Sequence, residues 1–336
     1  MESGHCDTEA RKSKDSMELS IICVNWNSVD YLRECIASVY EYTQDISFEI
    51  IVVDNASSQE GVDTLKSQFP EVTIIKSAKN LGFAGANNVG FRHSSGSFVL
   101  LLNPDTKLIG PAINVMLAHI KSLPDAGIVG CRLLNTDLSV QLTAIQKFPT
   151  ILNQVLDLEY LQLRWPHCSL WEVAPLFSSD AKLIKVEVIS GACMLVKRQV
   201  FEQVGMFSEE YFMYAEDIDL NYKVKSAGFS NYYVGEAAII HHGGKSSSRQ
   251  DVSYWATIMK YRAMGRLFQK MRGRLYGSMY RVAMGCAAVG RLIVLLLAYP
   301  LGDIVWDRKA LRFATKKWAV ILRWALGMQS MALQDR

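Results

Sequence analysis

Four short apolar runs alternate with stretches of helical periodicity before residue 110 of this 336-residue chain, and this alternation restricts the fold more than any other feature. The runs are predicted strands, at Leu19–Val24, Phe48–Val53, Val72–Lys76 and Phe98–Leu102. Apolar residues three and four apart predict helices at Tyr31–Tyr42, Val62–Phe69, Asn80–His93 and Pro111–Lys121. Strands that are apolar along their whole length are buried on both faces. The pattern therefore predicts an α/β fold with a mostly parallel central sheet between helices.

The periodicity weakens between residues 135 and 180, and we expect this Pro- and Trp-containing segment to cross over a functional site. Order returns with the apolar stretch Val186–Val196, a helix at Gln199–Val204, and strands at Tyr232–Val234 and Ala237–Ile240. Three parts are predicted: a disordered polar leader at 1–17, an α/β domain at 18–248, and a basic amphipathic helical region at 249–336.

Charge and cysteine placement limit the setting of the protein. Residues 245–336 carry 17 Lys and Arg against four Asp, although the whole chain has a net charge of only +3. An acidic body with a basic tail indicates two functional parts. The seven cysteines are scattered, without a CxxC pair or a zinc-ligand spacing, which predicts a reducing, cytosolic compartment. The polar N-terminus lacks the apolar core of a signal peptide.

Polar clusters follow three of the predicted strands, at 25–28, 54–58 and 103–106. In open α/β sheets ligands bind at the carboxyl ends of the strands, so these clusters outline a single site. Asp105, held at a strand end by Pro104, is a candidate ligand for a hard divalent cation, which prefers oxygen donors. The alternative is that the clusters are ordinary turns whose Asn, Asp and Ser cap the following helices.

A second acidic group lies among aromatic residues at 211–220, where Glu216, Asp217 and Asp219 are close in sequence. Neighbouring acids in partly apolar surroundings repel one another, which raises the pKa of at least one and makes it a suitable general base near neutral pH. A helix start rich in acids explains the same pattern through the helix dipole. His241 and His242 end an apolar strand and could contact a metal or a phosphate.

The glycine-rich stretch 80–90 contains neither the GxGxxG spacing nor the phosphate-binding GxxxxGK[ST] loop. Its glycines permit close approach of the backbone to a ligand or to a packed neighbour.

Together these elements resemble family 2 glycosyltransferases, in particular the bacterial rhamnosyltransferase-like branch. The matching segments occur in the family's order: Val24-Asn25-Trp26-Asn27, Val52-Val53-Asp54-Asn55-Ala56-Ser57, Asn80-Leu81-Gly82-Phe83-Ala84-Gly85-Ala86-Asn87, Leu102-Asn103-Pro104-Asp105, Ser190-Gly191-Ala192, Glu216-Asp217-Ile218-Asp219-Leu220 and His241-His242-Gly243-Gly244-Lys245-Ser246. The resemblance implies that residues 18–248 form a GT-A catalytic domain that inverts the anomeric carbon of a sugar.

The resemblance also implies roles for individual residues. Asp217 would be the catalytic base, supported by Glu216 and Asp219, and Asp105 with His241 would hold Mg²⁺ or Mn²⁺. Here Asn103 replaces the first acid of the family's Asp-x-Asp motif, which leaves fewer charged metal ligands. The nucleotide-sugar-binding residues would be Asn25, Asp54 (on the nucleobase), Asn55, Asn80, Gly82, Asn87, Asn103 and Gly191.

We expect the donor to be a dTDP- or UDP-linked sugar, with rhamnose or another deoxyhexose favoured, and the acceptor to be a lipid-linked glycan or a cell-surface polysaccharide. Two alternatives are a non-catalytic nucleotide-sugar-binding scaffold on the same fold and a nucleotidyltransferase. No nucleic-acid-binding module is recognisable, so nucleic acid is not an expected partner. The chain leaves self-association open.

The C-terminal region contains a predicted basic amphipathic helix at Trp255–Lys270 and an apolar segment at Val282–Leu301 that Arg291 interrupts. A central Arg opposes insertion of a spanning helix. We therefore expect this region to lie on an anionic membrane, with the protein at the cytoplasmic inner face and Trp318 and Trp324 among the surface-anchoring residues. Trp306 is expected to anchor in the same way. The alternative is a helical subdomain that packs on the catalytic domain or on another subunit.

Overall fold

A computed structural model of the protein describes residues 17–58, 61–156, 159–178, 182–243, 250–299 and 308–328. The predicted leader at 1–17 lies outside these ranges except for Met17, and Trp306 also lies outside them.

The described residues form eleven strands and ten helices. The strands are β1 (Leu19–Asn25), β2 (Phe48–Asp54), β3 (Thr73–Lys76), β4 (Phe98–Leu102), β5 (Thr106–Leu108), β6 (Ala126–Leu134), β7 (Ile145–Gln146), β8 (Ile184–Val186), β9 (Val188–Ile189), β10 (Cys193–Lys197) and β11 (Ser230–His241). The helices are α1 (Val29–Tyr42), α2 (Leu65–Gln68), α3 (Gly82–Arg92), α4 (Ala112–Ser122), α5 (Ile151–Val155), α6 (Glu159–Arg164), α7 (Arg198–Gln203), α8 (Glu216–Ser226), α9 (Gln250–Ala298) and α10 (Arg308–Ala325).

The central sheet has the order β3-β2-β1-β4-β10-β6-β11-β5, with β8 paired to β11. Strands β3, β2, β1 and β4 are parallel, as the four uninterrupted apolar runs predict. Beyond β4 the sheet is mixed, because β10 is antiparallel to both β4 and β6 while β11 is parallel to β6. The α/β prediction is confirmed. Strands β8 and β10, each antiparallel to its neighbours, follow the long excursion through residues 135–180, while β5, antiparallel to β11, precedes it.

The prediction of two separate strands at Tyr232–Val234 and Ala237–Ile240 was wrong. Both segments belong to β11, whose register against β6 shifts between Val234 and Ala238. A bulge of this kind keeps one strand continuous while bending it, so the polar Gly-Glu pair between the two apolar stretches does not end the strand.

The C-terminal helices form a second apolar core with helix α8. Helix α9 is broken at Gly273, where φ is 87°, a conformation that suits glycine, and the chain folds back there. The ring centroids of Phe268 and Tyr280 therefore lie 4.7 Å apart across the break. The same apolar cluster includes Ile218 of α8 and Trp324 of α10. The alternative prediction, a helical subdomain that packs on the rest of the chain, therefore describes much of the C-terminal region.

Two expectations for the tail need correction. Trp324 is buried against Tyr261 and Tyr280 instead of anchoring at a surface, because the hairpin of α9 leaves an apolar groove that its ring fills. Two basic residues in the part of α9 before Gly273 contact the α/β part of the chain: Arg266 donates to the carbonyl of Glu210, and Lys270 binds the buried carboxylate of Asp219.

Candidate functional site

The predicted site residues gather at one edge of the sheet. Because β2, β1 and β4 are neighbouring parallel strands, Asp54, Asn25 and Asn103 come together at their carboxyl ends. Strand β10 is antiparallel, so Gly191 just before it lies at the same edge. His241 ends β11, which has the direction of β6 and hence of β4. Sequence and topology together therefore place five predicted residues along one edge.

Asn25 and Asp54 form a buried polar pair at the ends of β1 and β2. The side-chain amide of Asn25 donates to Asp54 Oδ1 at 2.8 Å, and the hydroxyl of Ser57 donates to the same oxygen at 2.6 Å. These donors orient the carboxylate and leave its second oxygen for a ligand such as a nucleobase. Ser57 was not among the predicted binding residues, although it lies in the matched segment.

Asn55 joins this pair to the glycine-rich turn. Its side-chain amide donates to Asn80 Oδ1 at 2.9 Å, and its Oδ1 accepts from the backbone N–H of Leu81 at 2.8 Å. Gly82 has φ of +71°, and a Cβ there would lie 2.1 Å from the carbonyl oxygen of Phe212. Any side chain at this position would collide with that carbonyl, so the packing of the protein's own backbone requires glycine here. Asn87 is buried within α3 and donates to the carbonyl of Phe83, so its predicted contact with the donor stays a prediction.

Asp105, Asn103 and His241 form the candidate metal site. His241 Nε2 lies 3.3 Å from Asp105 Oδ1 and 3.3 Å from the side-chain amide nitrogen of Asn103. The other ring nitrogen of His241, Nδ1, lies 2.9 Å from Gln141 Oε1, which fixes the orientation of the ring. Gln141 belongs to the segment without periodicity, so no sequence signal identified it.

The chemistry of this donor set fits a divalent cation bound together with a diphosphate. Among the described residues no cluster of three or more His, Cys, Asp and Glu could hold a metal. Asp105 and His241 supply one carboxylate and one imidazole. Mg²⁺ is commonly held by one or two carboxylates, with substrate phosphates and waters as the remaining ligands. The pair is therefore a partial set that a nucleotide diphosphate would complete.

Asp217 lies in the first turn of α8, where two backbone N–H groups fix its carboxylate. Gly191 donates to Oδ2 at 3.1 Å and Ile218 donates to Oδ1 at 2.8 Å. Burial raises the pKa of Asp217, and these hydrogen bonds partly oppose the shift. Tyr214 and Ala215 just before the helix have φ of 71° and 65°, a strained backbone of the kind found at functional sites. Asp217 is thus a rigidly held carboxylate whose proton affinity suits a general base.

Glu216 is buried beside it, and its Oε2 has no hydrogen-bond partner among the described residues. Burial, with the neighbouring charge of Asp217 as a second cause, raises the pKa of Glu216 to about 8. The side chain is therefore mostly a neutral acid at pH 7, able to donate a hydrogen bond. Asp217 is left as the carboxylate that can accept a proton.

A cavity of about 630 Å³ opens against these residues. Asp217, Glu216 and His241 line it, together with Gln141, Thr143 and Trp171. Residues 135–180 do cross over the site, as the loss of periodicity predicted. The wall they supply is rich in side-chain amides, contributed by Gln141, Gln146, Asn153, Gln154 and Gln162. Such groups both donate and accept hydrogen bonds, which suits polyhydroxylated ligands.

Comparison with known proteins gives a consistent family. Residues 20–205 match the family model described as "Glycosyl transferase family 2". An N-acetylglucosaminyl-diphospho-decaprenol L-rhamnosyltransferase of Mycobacterium tuberculosis is 28% identical over 257 residues, which cover 72% of this chain and 81% of the relative. The rhamnosyltransferase WbbL of Escherichia coli is 26% identical over 231 residues, 66% of this chain and 82% of the relative.

Among solved structures, GalNAc-T7 with UDP, GalNAc and Mn²⁺ superposes with a TM-score of 0.58. The match is 14% identical in sequence and covers 95% of this chain and 57% of that one. At this identity the likeness concerns the fold alone. The fold is the GT-A fold, with a central curled sheet and a C-terminal helical region.

Proposed function

Because the chain belongs to glycosyl transferase family 2, we propose that this glycosyltransferase inverts the anomeric carbon and depends on a divalent cation. The donor would be a nucleotide-diphosphate sugar, and the acceptor a hydroxyl of a lipid-linked glycan or cell-surface polysaccharide. The observation that carries the proposal is the placement of Asp217, a fixed and half-buried carboxylate that lines the same cavity as His241 of the candidate metal site.

In this proposal two groups of residues in the site have different roles. Asn25, Asp54, Asn55 and Asn103 would bind the nucleotide sugar, while Asp105 and His241 would hold the cation. A bound divalent cation would offset the negative charge that develops on the departing diphosphate. Asp217 accepts the proton of the acceptor hydroxyl as that oxygen bonds to the anomeric carbon. Since the displacement occurs in one step, the configuration inverts without a covalent intermediate.

For the donor, we favour rhamnose or another deoxyhexose linked to dTDP or UDP. Support comes from the two rhamnosyltransferases among the relatives. The first relative acts on an N-acetylglucosaminyl-diphospho-lipid, and this supports a lipid-linked acceptor.

The direct test is nucleotide release from a panel of nucleotide sugars, with and without Mg²⁺ or Mn²⁺. Slow metal-dependent hydrolysis of one donor, and faster release when the acceptor is added, would support the proposal and identify the sugar. The anomeric configuration of the product reports inversion. Donor binding without turnover for any acceptor would instead favour a non-catalytic nucleotide-sugar-binding protein.

Removal of the carboxylate at the candidate metal site is expected to weaken metal binding. In Asp105→Ala we expect the Mn²⁺ concentration needed for half-maximal donor hydrolysis to rise at least about tenfold. Loss of a residue that only supports a metal ligand already lowers metal affinity by about that factor, and here the ligand itself is removed. Asp137→Ala removes an exposed carboxylate from the segment over the site and serves as the control. An unchanged metal response in Asp105→Ala would contradict the assignment of this ligand.

We further propose that the C-terminal region binds an anionic membrane at the cytoplasmic face. The second arm of α9 exposes a continuous apolar stripe, which we define as Leu275, Met279, Val282, Cys286, Val289, Ile293, Leu296 and Leu297. Arg291 does not interrupt it: its guanidinium donates to the carbonyl of Val155 at 2.7 Å and lies 4.2 Å from the ring centroid of Trp318. Exposed cations on α10, among them Lys309, Arg312 and Lys316, supply the charge.

Within the described residues one helix, Tyr254–Ala298, is long and apolar enough to cross a membrane by length and composition. This is weak support for a span, since the break at Gly273 divides that helix. An apolar stripe beside basic residues is typical of a helix that lies in the membrane interface.

The double variant Val289→Asp/Ile293→Asp is expected to reduce binding to phosphatidylglycerol vesicles at least about tenfold, because burying each side chain contributes about 1.5–3 kcal/mol. Flotation or co-sedimentation of vesicles measures it. The matched control is Leu163→Asp, which replaces a similarly exposed apolar residue on α6 outside the stripe. Equal loss in the control, or undiminished binding in the double variant, would refute the role of the stripe.

A further inference from the structure

A second cavity, of about 450 Å³, adjoins the one that Asp217 lines. Lys147, Asn153 and Leu170 line both, so these three side chains form the wall between them. The two cavities are therefore immediate neighbours in the structure.

The lining of this second cavity is cationic. Lys147, Lys225 and Arg272 face it, and the acid there is Glu187. Glu187 is already engaged, since it accepts from the backbone N–H of Phe148 at 2.7 Å and pairs with Lys225 at 3.5 Å. Arg272 contacts the hydroxyl of Tyr276 at 3.1 Å through one of its terminal nitrogens. Lys147 is paired with Glu172 at 3.2 Å and lies 3.8 Å from Glu187, so Arg272 is the main source of positive charge for a ligand. A guanidinium with further donors suits the oxygens of a phosphate.

The position of Arg272 in the fold indicates what is attached to that anion. It directly precedes the break at Gly273, and the apolar stripe begins at Leu275. The cavity that Asp217 lines therefore adjoins the cationic cavity, and the apolar stripe begins three residues after Arg272. A molecule with a sugar, a phosphate ester and a hydrocarbon chain, in that order, matches this sequence of environments.

We propose that the second cavity binds the phosphate or diphosphate that links the acceptor sugar to its lipid, with Arg272 as its main cationic contact. This inference rests on the proposed function and deepens it, because it assigns the acceptor to the class of lipid phosphosugars. Lys147, at the wall between the two cavities, contacts the same group from the side of the sugar.

The test compares two synthetic probes in neutral detergent micelles: undecyl diphosphate N-acetylglucosamine, and the undecyl glycoside of the same sugar without phosphate. Their affinities for the full chain are measured by calorimetric titration, and their KM values by transfer. Arg272→Gln is expected to weaken binding of the diphosphate probe about tenfold, as loss of one charge-assisted hydrogen-bonding partner does. Affinity for the glycoside should not change. Neutral micelles remove any contribution from anionic lipid.

Arg92→Gln is the matched control, since it removes an exposed arginine of α3 that does not line this cavity. The proposal is overturned if Arg272→Gln lowers the affinity for both probes equally, or for neither. It is also overturned if the variant instead loses affinity for an acidic glycan without phosphate, tested as a third ligand. Binding is read without turnover, so the two proposals fail separately. Phosphate-selective binding without transfer would reject only the enzymatic proposal, and transfer without phosphate selectivity would reject only this one.

Discussion

Asp217→Asn is expected to lower kcat about 10²- to 10⁴-fold, the range that removal of a general base produces. The amide has nearly the same shape, but it cannot accept the acceptor's proton. Donor affinity should stay close to that of the wild type, because Asp217 is not among the nucleotide-binding residues. Single-turnover transfer together with a donor-binding titration separates the two quantities.

The control is Glu202→Gln, which neutralises an exposed acid on α7. The pH profile adds an independent check. The pKa of an ordinary aspartate is about 3.9. Because burial raises the pKa of Asp217, its base form is lost at a higher pH than that. As the pH is lowered, we therefore expect kcat/KM of the wild type to begin to fall at a pH above the pKa of an ordinary aspartate. Retained turnover in Asp217→Asn would assign the base to another residue.

The second large effect concerns the ion pair between α8 and α9. Asp219 is fully buried, and Lys270 Nζ lies 2.9 Å from its Oδ1 and 3.0 Å from its Oδ2. Replacing Lys270 by Met leaves a buried carboxylate with only Ser208 and the more distant Lys223, at 3.8 Å, nearby. Breaking a buried pair on one side costs about 3–5 kcal/mol, and we expect the low end of that range because Lys270 is partly exposed.

Urea denaturation of the full chain measures the free energy of unfolding. Lys316→Met, an exposed lysine on α10, controls for the loss of one charge. The double variant Lys270→Met/Asp219→Asn should recover part of the loss, since the uncompensated charge is removed as well. A loss no larger than that in the control would mean that water replaces Lys270 at this site.

The sequence was most informative where one physical constraint acts along consecutive residues. Strands β1, β2 and β4 are mostly buried, so their uninterrupted apolar runs identified them and placed Asn25, Asp54 and Asn103 at one edge. The edge strand β3 is half-exposed, contrary to the expectation of burial on both faces, because no strand covers its outer side. Asp217 and Glu216 were recognisable because adjacent acids among aromatics are unusual.

Contacts between distant parts of the chain could not be predicted in this way. Lys270 and Asp219 are 51 residues apart, and nothing local distinguishes this lysine from the other cations of the tail. Similarly, the ring of His241 is oriented by Gln141, 100 residues away in a segment without periodicity. The direction of β10 was equally hidden, because an apolar pentapeptide has the same composition whichever way it enters the sheet.

The apolar cluster shared by α8, α9 and α10 bears on how the enzyme can be produced in the laboratory. Tyr211, Ala215 and Ile218 from the segment that carries the base pack with Leu267 and Phe268. A truncated protein ending near residue 248 would lose the helices that cover these side chains, along with the cation that neutralises Asp219. Deletion of α9 and α10 would therefore remove part of the packing around the segment that carries Asp217. Detergent or lipid nanodiscs with the intact chain are the better route to a functional preparation.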